Sequence, residues 1–140
     1  MKKAWFHLSL IVSFVGLFAL TASAQPADKV VVYYFHSDMR CPTCHKIEQY
    51  TKAAVETSFA EEIKTGLVEF AVINTDRDEN SHYLKDYQLY TKSVIVSLVK
   101  QGKEQKYKNL AKIWNLVGNK EQFSEYIKTE INTYLAEIEQ

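Results

Sequence analysis

The stretch KVVVYYFHSDMRCPTCHKIEQYTKAAVE, Lys29 to Glu56, decides how this chain is read. Its opening, KVVVYYFHS, is β-branched and aromatic at nearly every position and of strand length. Such a run suits a central strand buried on both faces. From Thr43 the period changes. Ile47, Tyr50, Thr51, Ala54, Val55, Ser58 and Phe59 recur at helical spacing, with Lys46, Glu48, Lys52 and Glu56 on the other face. This helix is expected to run to about Lys64 and to be closed by Gly66. At the junction stand the only two cysteines of the chain, Cys41 and Cys44.

The compartment decides how such a pair is read. The chain opens MKKAWFHLSLIVSFVGLFALTASAQ: a basic start at Lys2 and Lys3, an apolar run from Ala4 to Leu20, then Ala22-Ser23-Ala24 in the small-x-small pattern of a cleavage site. Residues 1–24 are expected to be a signal peptide and 25–140 the exported domain, periplasmic or extracellular. A membrane enters only if the leader stays uncleaved as an anchor. Cleavage leaves 140 − 24 = 116 residues, enough for one core. Removing Lys2 and Lys3 turns 17 basic against 17 acidic residues into 15 against 17, a net charge of −2. That balance argues against nucleic acid and against an anionic membrane surface as partners. A monomer is expected.

Two cysteines are too few for a disulfide framework, and two intervening residues close too small a loop for much entropic stabilisation. The pair therefore reads as chemistry before it reads as a staple. Cys41 at a helix N-terminus would face free N–H groups and the positive dipole end, which favour a thiolate. Pro42 suits the first helical position. Arg40 and His45 would add positive charge. Together these should bring the Cys41 thiol below its free value of about 8.5.

Further along, LVEFAVINT reads as a second strand, DRDENSHYLKDYQLY as a turn and short helix with Tyr83, Leu84 and Tyr87 inward, and SVIVSLVK as a third strand. A turn at Gly102 leads into EQKYKNL as a polar edge strand. Asn119 should cap a last helix, with Gln122 in the capping-box position. That helix bears the stripe Phe123, Tyr126, Ile127, Ile131, Tyr134, Leu135 and Ile138, which Glu130 interrupts. The alternation predicts parallel strands joined by right-handed crossovers, with an antiparallel hairpin at one edge.

With CPTC at a strand-to-helix junction, a βαβαββα order and the KQGKE turn, the mature chain resembles the thioredoxin superfamily over residues 29–138. The resemblance implies an α/β thioredoxin-like fold, a central mixed sheet flanked by helices, and an exported thiol–disulfide oxidoreductase. Cys41 would be the nucleophile and Cys44 the resolving cysteine of a redox-active disulfide, with Pro42 and Thr43 between them. No other cofactor is implied. The partners would be a protein thiol or disulfide substrate and a redox partner that resets the pair. Three features depart from the family pattern. The first strand offers Tyr34, Phe35 and His36 where a buried acid is usual. Met39-Arg40 replaces the tryptophan before the first cysteine. Ser93 stands at the place of the cis-proline, and a non-proline residue there should be trans.

Two other readings stay open: a copper or zinc module built on Cys41, Cys44 and His45, and a non-catalytic adaptor. The remaining conspicuous residues read as structure. His36 is satisfied at a strand end and His82 lies on the surface. Asp76, Asp78 and Glu79 form a helix-start cluster. The tyrosines and Trp114 are packing.

Overall fold

The computed structural model describes residues 27–138. The expected signal peptide lies outside the described residues. A four-stranded sheet is built from β1 (Lys29–His36), β2 (Val68–Asn74), β3 (Ser93–Lys100) and β4 (Lys103–Asn109), in the order β2-β1-β3-β4. The helices are α1 (Pro42–Ser58), α2 (Ala60–Thr65), α3 (Tyr83–Asp86), α4 (Ile113–Leu116) and α5 (Lys120–Leu135). The result is the expected mixed sheet flanked by helices, a thioredoxin-like α/β fold. Among the described residues no helix is long and apolar enough to cross a membrane.

β1 is central and largely buried, as its composition requires. Alternation sends Val30, Val32 and Tyr34 to the face covered by α1 and α5. There they meet Val94, Val96 and Leu98 of β3, Ile47 and Val55 of α1, and Phe123, Ile127 and Ile131 of α5. Each of these large apolar side chains contributes roughly 1.5–3 kcal/mol on burial. Glu130, the interruption in the stripe of α5, accepts from Lys108 Nζ of β4 through both carboxylate oxygens, at 2.7 and 2.8 Å. Asn119 caps α5 as expected, its side chain accepting the Gln122 N–H at 3.0 Å.

The direction of β3 corrects the sequence reading. β1 and β2 are parallel, but β3 runs antiparallel to β1, with Tyr34 opposite Val94 and Phe35 opposite Ser93. A parallel return would have to travel back the length of β2, roughly 23 Å at about 3.3 Å per residue. The connection from Thr75 to Lys92 contains only a 3₁₀ turn (Asp78–Asn80) and the four-residue α3. It stays at one end of the sheet, so β3 starts where β2 stops.

Three smaller differences also have local causes. The long helix expected to Lys64 breaks at Phe59, whose backbone leaves the helical region (φ −129°, ψ 33°) while its ring is buried in the core. Gly66 does close the second piece. At φ 78° its N–H bonds the Ile63 carbonyl and that of Leu67 the Glu62 carbonyl, the double bond pattern that terminates helices at a left-handed glycine. Leu84 is exposed, because one step along the helix turns it about 100° away from Tyr83, whereas Tyr83 and Tyr87, four apart on one face, do pack. β4 is exposed along its whole length and enters through a two-residue turn. Gln101 and Gly102 both have positive φ there, the geometry that matches strand twist. The Asp28 carboxylate holds this turn by accepting the Gln101 N–H at 2.9 Å.

Candidate active site at the first turn of the long helix

The loop from Ser37 to Arg40 carries the chain from β1 into α1 and is tied to the loop after β2. The Asp38 N–H donates to the Asp76 carboxylate (2.8 Å), and the Asn74 side-chain amide donates to the Asp38 carboxylate (2.7 Å). Thr75 donates both its N–H and its hydroxyl to the His36 carbonyl. Asp78 and Glu79 occupy the first turn of the 3₁₀ helix as expected, but Asp76 works as this anchor instead.

On that support Cys41 is the N-cap of α1. Its backbone is extended (φ −88°, ψ 163°), and its Sγ accepts the Cys44 N–H at 3.1 Å. Pro42 is the first helical residue, where its missing N–H leaves nothing unsatisfied. Cys41 and Cys44 are joined in a disulfide, their Cα atoms 5.0 Å apart. The two sulfurs differ in access. Cys41 is exposed, whereas Cys44 is 3 % exposed and packed beneath it. A cap N–H on Sγ and the dipole of a 17-residue helix both favour negative charge at Cys41.

Beneath the pair, the Tyr34 hydroxyl donates to the Cys44 carbonyl at 2.8 Å. Burial pushes the Tyr34 phenol up, and the Arg40 guanidinium opposes that shift. Arg40 lies over the Tyr34 ring, 5.7 Å from its centroid, and forms an ion pair with Glu48 of α1. The guanidinium expected to act on Cys41 is thus neutralised by a carboxylate two turns into the helix. His45 donates its N–H to the Cys41 carbonyl and is exposed; Thr43 is half-buried. Among the described residues no three His, Cys, Asp or Glu side chains converge as a metal-ligand set.

An open groove of about 480 Å³ runs beside the disulfide, lined by Met39, Arg40, Cys41, Cys44, Thr91, Lys92 and Trp114. Ser93 is not in its wall. It is buried, its hydroxyl donates to the Thr91 carbonyl at 2.9 Å, and the peptide bonds of the described residues are all trans. Thr91 and Lys92, the two residues before it, line the groove. Trp114, read as packing, does pack against the core, but its indole N–H also holds the Lys92 carbonyl at 3.2 Å. The available signal was chemical: a half-buried tryptophan seeks a partner for its N–H. His36 is satisfied at its strand end by the Ser37 carbonyl, and His82 pairs with Asp86 on the surface.

No family model and no curated protein matches the sequence. Solved structures similar to it include three thioredoxins. That of Chlamydomonas reinhardtii thioredoxin f2 is 19 % identical, with 71 % of this chain and 84 % of that one covered and a TM-score of 0.43. The Trypanosoma brucei brucei thioredoxin is 17 % identical over 77 % and 80 %, TM-score 0.42. The Fasciola hepatica thioredoxin is 20 % identical over 72 % and 80 %, TM-score 0.40. The fold assignment rests on strand order and pairing: a thioredoxin-like α/β fold with a C-x-x-C pair at the first turn of its long helix.

Proposed function

We propose that the chain is an exported thiol–disulfide oxidoreductase acting on protein substrates, with Cys41 as the attacking and attacked sulfur and Cys44 as the resolving one. The observation that carries this is the asymmetry of the pair: an exposed Cys41, whose Sγ accepts a helix N–H, bonded to a buried Cys44. In the oxidising direction a client thiolate attacks Cys41 Sγ. The Cys41–Cys44 bond breaks, and Cys44 leaves as a thiolate that takes up a proton. A second client thiol, on losing its proton, attacks the mixed disulfide and expels the Cys41 thiolate. The client has then lost two electrons and the pair has gained two. The reverse order reduces a client disulfide, and a separate dithiol or disulfide protein resets the pair in either direction. Arg40, Pro42, Thr43 and His45 shape the turn around the sulfurs, while Thr91, Lys92 and Trp114 border the groove a client would enter.

The test uses residues 25–140 and a disulfide-linked peptide reporter. Cys41→Ser is expected to abolish exchange, and Cys44→Ser to accumulate mixed disulfides visible on non-reducing gels. The reduction potential should fall between about −270 and −120 mV. Undiminished exchange in both variants, or a potential below about −300 mV, overturns the proposal in favour of a structural disulfide.

A further inference from the structure

Arg40 and Glu48 lie eight residues apart, yet they form an ion pair across the first two turns of α1, each with only about a fifth to a quarter of its side chain exposed. Arg40 immediately precedes Cys41 and shares its groove. Glu48 is one turn beyond Cys44, and residues four apart share a helix face. The disulfide is therefore flanked by one charge of each sign. Tyr34 fixes the arrangement, with its ring under the guanidinium and its hydroxyl on the Cys44 carbonyl. Few other charges face the pair: His45 and Lys46 on α1 are exposed, Lys92 lies before β3, and Asp38 is tied to Asn74 and Asp76.

From this geometry we infer that Arg40 and Glu48 are positioning residues that act as a balanced charge clamp on the Cys41–Cys44 pair, each cancelling the other's effect on its reduction potential. The inference rests on the pair being redox-active, as proposed above. Reducing the disulfide at a pH above the Cys41 thiolate's pKa leaves a negative sulfur, so whatever favours that charge favours the dithiol and raises the potential. With Glu48 ionised, Arg40 contributes little net field at Cys41. Neutralising Glu48 releases a positive charge beside the sulfur. Neutralising Arg40 releases a negative one. An unopposed charge near an ionising group moves its pKa, and with both side chains partly exposed the expectation here is about one unit, or tenfold in the equilibrium constant.

The experiment equilibrates residues 25–140 with glutathione buffers and titrates the Cys41 thiolate by its ultraviolet absorbance, in four variants. Glu48→Gln is expected to shift the equilibrium about tenfold toward the dithiol, which is about 30 mV for a two-electron couple. Arg40→Met is expected to shift it about tenfold the other way. The double variant should return to within about twofold of the parent, and Arg40→Lys, which keeps the charge, should stay near it. Thiolate titrations should move in matching directions. A merely structural pair would loosen the turn in both single variants and displace both potentials the same way. That outcome, or shifts below twofold, overturns the inference; thermal melts identify a variant that has lost its fold, in which case Arg40→Lys with Glu48→Gln decides. If the opposed shifts appear while client turnover fails, the proposed activity falls and the clamp stands.

Discussion

One face of the sheet carries a deep aliphatic core, and the other a shallow layer of rings and hydroxyls. Under α1 and α5, Val30, Val32, Val96, Ile47, Phe123, Ile127 and Ile131 are fully buried in one continuous cluster. The opposite face buries Phe35, Tyr87, Leu89 and Ile95, with Tyr33, Ile73 and Tyr83 half-covered around them. The cause is the connection between β2 and β3. Because it remains at one end of the sheet, this face receives only the four residues of α3, and large rings occupy what a long helix would fill. Tyr83 and Tyr87 stack at 5.8 Å, and Phe35 sits against both. The Tyr87 and Ser97 hydroxyls both donate to the Glu104 carboxylate, at 2.6 and 2.5 Å. The lesson is a division of labour: the deep face supplies stability and anchors α1, while the shallow face is polar enough to feel pH.

The sharpest way to break that comparison is truncation on each side. Ile127→Ala on the deep face should cost about 2–5 kcal/mol, and Leu89→Ala on the shallow one about half as much, because its site can collapse or admit water. Urea unfolding of both variants decides it, and equal losses would mean the two faces carry equal load. A smaller effect is expected of Tyr87→Phe, which removes a donor to Glu104 and should cost about 1 kcal/mol by the same measurement.

A further effect appears only in alkali. Burial, with Tyr83 and the carboxylates of Glu104 and Glu69 nearby, pushes Tyr33 up to about 12. Tyr87 is driven further in the same direction by burial and Glu104. An unfolded tyrosine loses its proton near 10. Above that pH the unfolded chain has released a proton that the native one still holds, so the contribution is full below about pH 10 and is lost as pH rises toward 12. Unfolding midpoints should fall over that window, and Tyr33→Phe should flatten the fall. A flat profile in the parent would show that the shallow face does not sense pH.

Much of this was legible from sequence because it depends on neighbours in the chain. The run Val30 to Phe35 fixed a buried strand, Asn119 a cap, Gly66 a helix end, the lysines of β4 an exposed edge, and the C-x-x-C its place at a strand-to-helix turn. What escaped depends on distance in space. The alternation of strands and helices does not reveal that the Thr75–Lys92 connection is too short in helix to return, so the direction of β3 was misread. Arg40 was assigned to Cys41, its neighbour in sequence, whereas its long side chain reaches Glu48. Ser93 was placed by counting along a strand, and counting does not reveal that it is buried while Thr91 and Lys92 line the groove. Trp114 seemed packing alone because nothing local reveals that its N–H would meet the Lys92 carbonyl.

The edge strand β4 has a consequence for how copies of this protein meet. It pairs on one side only, so its outer backbone groups are open to a strand from another molecule. Two copies joining there would bring Lys103, Lys106 and Lys108 of one against the same lysines of the other. Lys106 and Lys108 are already paired with Glu137 and Glu130 within each copy, so a second strand docking there would have to crowd or displace both ion pairs. The lysines and their paired carboxylates thus stand along an edge open to sheet growth and hinder a second copy from pairing there.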